Sequence, residues 1–259
     1  MTTAELETIA KTLRDARSSA TPCPPVRTAI GDGGLEAAYA IQEINLAHWS
    51  KTHRRVGHKV GFASRFSQRQ AILEEPIYGA LFADMAFSDG DEIELDCFCD
   101  VKVEVELAIV LAADITETEP IYSDVVRAIA FVLPAIEIVD PRIKGWDITP
   151  VDAVADNAGA AGFVLGGCPR GIGALDVSAL PSVLRTGDDV VSESGGEMFK
   201  AHPITTALWI ARRQARLGRG LKAGEVIMAG ALGPPVSVKR GERITAEIAQ
   251  VGSVEFVFV

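Results

Sequence analysis

The segment "VKVEVELAIVL", residues 101–111, constrains this chain more than any other. Its first half alternates with the period of two that marks a β-strand, and its second half is an ordinary buried run. On such a strand Glu104 and Glu106 project to the same side, about 7 Å apart along the chain. Two carboxylates held that close repel each other, so the fold must set something against them.

A third acid stands in "LPAIEIVDPR", residues 133–142. Glu137 lies between Ile136 and Ile138 in a run of aliphatic side chains, where an unpaired carboxylate is expensive. Three glutamates in strand-like settings could converge on a divalent cation, and an all-oxygen site suits a hard ion such as Mg²⁺. The same E-x-E pattern also fits a solvated or salt-bridged strand face, with Lys102 on the same side. Spacing alone leaves both readings open.

Around these segments the chain divides into a helical beginning and a strand-rich body. Ala4, Leu6, Ile9, Ala10 and Leu13 recur at helical spacing behind a Thr3 cap, and a second helix is expected over residues 35–53. The Pro/Gly-rich stretch 21–34 connects them. Beyond residue 55 the pattern predicts a short strand at 56–64, a short helix at 67–73, and strands at 80–83, 101–111, 132–139 and 162–166. Helices are expected at 122–130, behind a Ser123 cap, and at 203–216, with strand and turn from residue 223 onward. This order implies an α+β fold: a helical N-terminal layer, residues 1–55, packed on a β-rich core, residues 56–259, closed into a roll or sandwich. No linker or repeat divides residues 1–259 into separate domains.

Composition narrows the function classes. A formal net charge of −10 opposes binding to nucleic acid. The N-terminus lacks the apolar core of a secretory signal. The most hydrophobic window, residues 128–140, is too short to span a bilayer and contains Pro134 and Glu137. A cytoplasmic protein without a membrane partner is therefore expected. Cys23, Cys97, Cys99 and Cys168 form no CxxC pair and read as free thiols. HExxH, GxSxG and GxxxxGK[ST] motifs are absent, and His48, His53, His58 and His202 show no ligand spacing.

One resemblance goes further. "HKVGFAS", "GALFADMAFSDG", "VKVEVELAIVL", "AIEIVDPRIKGWDITPVDAVADNAGAAGFVLGG" and "GEVIMAGALGPPVSVKRGERITAEI" occur in this order. Together they closely resemble the 2-oxopent-4-enoate hydratase / 4-oxalocrotonate decarboxylase family, of the fumarylacetoacetate-hydrolase-like superfamily. The resemblance implies a mixed β-roll and a Mg²⁺ or Mn²⁺ ion held by Glu104, Glu106 and Glu137, with Lys59 in the active site. It implies small 2-oxo or 2-hydroxydienoic acids as substrates, from aromatic-ring degradation, and a homo-oligomer able to associate with a paralogous enzyme. Metal-dependent hydration to a 4-hydroxy-2-oxo acid is the leading expectation. Decarboxylation of a 4-oxalocrotonate-type acid is the second, and a non-catalytic partner subunit is the alternative from another class.

The chain departs from the family pattern in three stretches. Ile77 stands where hydratases usually carry the acid of a "P-D-F-G" stretch, which leaves Glu74 or Glu75 as substitute acid/base groups. Gly159 and Ala160 follow Asn157 where a hydroxyl is usual, and Ala229 replaces a threonine before Gly230 and Ala231. Ile77, Asn157, Gly159, Ala160, Ala229, Gly230 and Ala231 are thus the expected substrate-binding positions, in a pocket stripped of polar groups.

Overall fold

The computed structural model describes residues 1–196 and 199–259. Helix α1 (Thr3–Ser19) is capped one residue earlier than expected: Thr2 Oγ1 accepts from the Glu5 amide, and Glu5 accepts from the Thr2 amide. It buries Ile9, Ala10, Leu13 and Ala16 on one stripe. The single turn α2 (Arg27–Ile30) interrupts the connection that follows. Helix α3 (Gly34–Trp49) ends before residue 53, because Ser50 to His53 fold into hydrogen-bonded turns that lead into β1. Together with α6 (Pro150–Ala155), α1 and α3 form the helical layer, with α3 packed against both of its neighbours.

Among the described residues the strands form two sheets. The larger contains β1 (Arg55–Gly61), β2 (Ile77–Phe82), β3 (Ala86–Ser88), β5 (Lys102–Leu111), β6 (Ile129–Val139), β7 (Ala160–Leu165) and β10 (Val226–Ala231). Their order is β2-β1-β10-β5-β6-β7-β3, with β11 (Val236–Ser237) beside β5. The sheet is mixed: β1 runs parallel to β10 and β3 to β7, and the other pairs are antiparallel. The smaller sheet has the order β4-β13-β12-β8-β9, from β4 (Glu92–Ile93), β8 (Ser182–Thr186), β9 (Asp189–Glu193), β12 (Arg243–Ile248) and β13 (Gly252–Phe258). Short helices α4 (Arg65–Gln70) and α5 (Tyr122–Ala128) and the longer α7 (Pro203–Arg216) complete the chain. Helix α5 stops at Ala128 rather than 130, since Ile129 already pairs with Leu111.

The period of two along β5 and β6 decides which face does what. Val103, Val105, Leu107 and Ile109, with Ile136 and Ile138, pack in one core with Ile244, Ala246, Val254 and Phe256 of the smaller sheet. Each of these valine, leucine, isoleucine and phenylalanine side chains, once fully buried, contributes about 1.5–3 kcal/mol. The intervening Ala108 and Ala135 belong instead to a cluster with Leu46 of α3. Glu104, Glu106 and Glu137 share their parity, and so stand on the face turned to the helical layer.

Candidate active site

Register brings the three acids together. Glu104 lies directly opposite Glu137 across β5 and β6, and Glu106 follows on the same face. One carboxylate oxygen from each lies within 4.8 Å of the other two. Glu106 and Glu137 are buried and Glu104 is partly exposed. Glu106 is aimed by a β-bulge: the β10–β5 register shifts between Met228 and Ala231, and the Gly230 amide donates to Glu106 Oε2 at 2.9 Å. Gly230 has φ +99, a conformation that suits glycine.

Lys59 meets this cluster from β1. Its Nζ lies 3.1 Å from Glu137 Oε1 and donates to the Ala158 carbonyl at 3.0 Å. Burial alone would depress its pKa. Attraction to Glu137, then to Glu104 and Glu106, outweighs that and raises it above the ordinary lysine value. The acids shift too. Burial, then repulsion from Glu137, pushes Glu104 up to about 7 and Glu106 well above the usual carboxylate range.

These residues fit a hard dication. Among the described residues neither Glu137 oxygen accepts a well-oriented hydrogen bond, although both are buried and Lys59 pairs with one of them. A buried carboxylate with orphaned oxygens beside two others of its kind is costly unless a cation neutralises the group. The all-oxygen donor set suits Mg²⁺ or Mn²⁺.

A cavity of about 240 Å³ opens over the acids, with Lys59, Glu104 and Glu106 in its lining. The rest is largely apolar and includes Phe62, Ile77, Val139, Ile148 and Pro235. Ser64 and Ser67 add hydroxyls from the start of α4, where Ser64 Oγ accepts from the Ser67 amide. The sequence reading missed Phe62, Ser64 and Ser67, although the turn after Lys59 in "HKVGFAS" is the signal that points to them. Phe62 holds φ +52, which ends the strand sharply and turns the chain along the cavity.

Several expected site residues lie elsewhere. Ile77 and Ala231 line the cavity. Glu74 and Glu75 do not: they border a separate cleft with Leu35, Tyr39, Ile72 and Leu73. Glu75 there accepts from Trp209 Nε1 at 3.2 Å and pairs with Arg213 and Arg216, so its charge is already matched outside the cavity. Asn157 spends its side-chain amide on Ala80, accepting from the amide at 2.8 Å and donating to the carbonyl at 2.9 Å. Gly159 and Ala160 offer their carbonyls to Asp140 N and Arg142 Nη1, behind the wall. Ala229 packs in the core between the sheets, and Gly230 supports Glu106 rather than a substrate. Of the three departures from the family pattern, only Ile77 therefore changes the surface of the cavity.

Comparison with known proteins finds relatives along nearly the whole chain. Residues 49–259 match the family described as fumarylacetoacetate (FAA) hydrolase, C-terminal. The chain is 40% identical over 253 residues to 2-keto-4-pentenoate hydratase 2 of Dechloromonas aromatica, covering 97% of each chain. It is 42% identical over 247 residues to the TodF product hydratase of Pseudomonas putida, covering 95% of this chain and 92% of that one. The solved structure of 4-oxalocrotonate decarboxylase from Pseudomonas putida G7, complexed with magnesium and adipate, superposes with a TM-score of 0.93. It is 27% identical and covers 100% of this chain and 99% of that chain. Among the described residues no helix is long and apolar enough to cross a membrane.

Proposed function

The chain belongs to the fumarylacetoacetate hydrolase C-terminal family, in its 2-oxopent-4-enoate hydratase / 4-oxalocrotonate decarboxylase branch, and we propose that it is a metal-dependent hydro-lyase acting on a short 2-hydroxydienoic acid. The observation that carries this reading is the Lys59–Glu137 contact, set among three acids at the floor of an apolar cavity. Glu104, Glu106 and Glu137 would hold Mg²⁺ or Mn²⁺, which supplies stabilisation for negative charge developing on the keto oxygen of a 2-oxo acid.

This chain's own residues do the rest. Lys59 is an ammonium with three N–H donors: one is bonded to the Ala158 carbonyl, and a second faces Glu137 as an ion pair rather than a well-oriented hydrogen bond. The third is left to hold the substrate carboxylate or to donate a proton. During hydration the enol proton leaves and a proton reaches C5, which moves the double bond into conjugation with the ketone. Water then adds its hydroxyl at C4 and its hydrogen at C3, giving the 4-hydroxy-2-oxo acid. Phe62, Ile77, Val139 and Ile148 seat the hydrocarbon tail.

We further infer that the whole chain works as one catalytic unit, as a cytoplasmic homo-oligomer, in the breakdown of aromatic compounds. The family resemblance supports each of these. The test of the activity is proton NMR of 2-hydroxypenta-2,4-dienoate with purified protein and Mg²⁺, against an EDTA-treated control. Metal-dependent formation of 4-hydroxy-2-oxopentanoate is the expected result. No turnover would remove the hydratase reading for this substrate.

A decarboxylase reading is second. Ile77 favours it, because an apolar group at that position cannot transfer the proton that hydration calls for. The likeness to 4-oxalocrotonate decarboxylase points the same way. Release of CO₂ from a dicarboxylic oxo-dienoate, with no hydration product, would favour it.

A further inference from the structure

The Lys59 ammonium is aimed by a peptide carbonyl as well as by Glu137, and that carbonyl sits in an uncommon piece of backbone. Asn157, Ala158 and Gly159 have φ values of +54, +54 and +69. Three successive left-handed residues, two of them with side chains, cost about 1–2 kcal/mol for each non-glycine member. Such backbone persists only where its surroundings over-determine it.

The surroundings do so from both ends. On one side the Asn157 amide pairs with both backbone groups of Ala80, as a neighbouring strand would. The approach is so close that a Cβ on Gly79 would come 2.2 Å from the Asn157 carbonyl oxygen. On the other side stands Arg142, only 1% exposed. Its backbone amide and its Nε each donate to the Asp156 carboxylate at 2.7 Å, and its Nη2 donates to the Asp156 carbonyl at 2.7 Å. Its Nη1 bridges the Asp140 and Ala160 carbonyls at 2.6 and 3.1 Å. The turn that presents Ala158 is thus clamped to β2 on one flank and to the end of β6 on the other.

We infer that Asn157, Asp156 and Arg142 are positioning residues for Lys59, holding the Ala158 carbonyl where it orients the ammonium toward the substrate. This rests on the proposed role of Lys59, and it replaces the expectation that Asn157 binds substrate. The strain in the turn then has a use: it delivers one carbonyl into the cavity from a segment that is otherwise buried.

Asn157→Gly tests this, because glycine adopts the left-handed conformation freely and only the clamp to Ala80 is lost. Three readouts are needed: kinetics on 2-hydroxypenta-2,4-dienoate with Mn²⁺, Mn²⁺ affinity, and a crystal structure of the variant. The expected result is a fall in kcat of about 10–100-fold with KM within about twofold, as for a reacting group displaced by about 1 Å. Mn²⁺ affinity, measured by calorimetry, should be unchanged, and Lys59 Nζ should have left the Ala158 carbonyl. An unchanged kcat would overturn the inference, and so would a reduced kcat with that contact intact. Should wild type fail to turn over this substrate, the hydratase reading falls alone, and the crystallographic contact decides the positioning role. If Asn157→Gly does not fold, Asn157→Asp carries the same readouts, since it keeps the shape and turns the Ala80 carbonyl contact repulsive.

Discussion

Glu104 and Glu137 face each other as a directly paired couple across β5 and β6, two like charges in the position where a sheet tolerates them least. A cation between them turns that liability into a binding site. Saturating Mn²⁺ or Mg²⁺ should therefore raise the melting temperature. Binding at a hundredfold excess over Kd contributes about 2.7 kcal/mol, or about 5–10 °C for a chain of this size. Differential scanning fluorimetry checks this, and Glu137→Gln should lose most of the rise.

Lys59 separates chemistry from metal binding. Lys59→Met should lower kcat/KM by about 10²–10⁴-fold, while the metal-induced rise in melting temperature persists. If the rise vanishes together with activity, Lys59 serves the metal site rather than the substrate.

Ile77, 3% exposed, lies in the wall shared by the active-site cavity and the cleft that holds Glu74 and Glu75. Ile77→Ala should cost about 2–5 kcal/mol of stability. It should also shift the kcat/KM ratio about tenfold toward substrates with a longer alkyl tail. Competition between two tail lengths in one NMR tube measures that ratio directly.

His58 provides a pH test on the opposite face of β1 from Lys59. Burial, then repulsion from Arg55 and Arg219, holds its pKa down at about 3. The unfolded chain takes up this proton below about 6.5 while the folded chain does not. His58 therefore supports stability above pH 6.5 and withdraws that support as pH falls from 6.5 toward 3, at no more than about 1.4 kcal/mol per pH unit. Glu104, raised to about 7, and Asp156, raised to about 6 chiefly by burial, slope the other way in the same window. The difference between wild type and His58→Leu in urea melts at pH 4, 5 and 7 isolates the histidine, and the variant should lose less stability on acidification.

The Arg142–Asp156 pair is fully buried and should be unforgiving of half-removal. Asp156→Ala leaves a guanidinium without its carboxylate, and should cost about 3–5 kcal/mol in denaturant melts.

How much of this could be read in the sequence follows the range of each interaction. Strand periodicity places Glu104 and Glu106 on one face from local sequence alone, and the apolar setting of Glu137 marks it as a buried charge that needs a partner. Helix 203–216 is likewise legible from its own residues. The pairing of Glu104 with Glu137 is a non-local register, and no local pattern carries it. Glu74 and Glu75 misled because a loop decides where they go: Ile72, at φ +55, turns the segment so that Glu75 meets Trp209, Arg213 and Arg216 of α7. Asn157 misled for a related reason. An asparagine beside an active-site motif suggests a ligand-binding amide, and only the approach of β2 shows that Ala80 has claimed it.

The alternation along β5 has a consequence for how errors in this protein would look. Its Val103, Val105 and Leu107 serve the contact between sheets, while the glutamates interleaved with them serve the cavity. Inserting or deleting one residue within the strand would trade the two sets, driving carboxylates into oil and handing the substrate a hydrocarbon floor. The strand has no arrangement in which it is correctly folded but wrongly wired. A misregistered copy would lose the contact between the sheets and the acid cluster together, so a single slip costs both stability and chemistry.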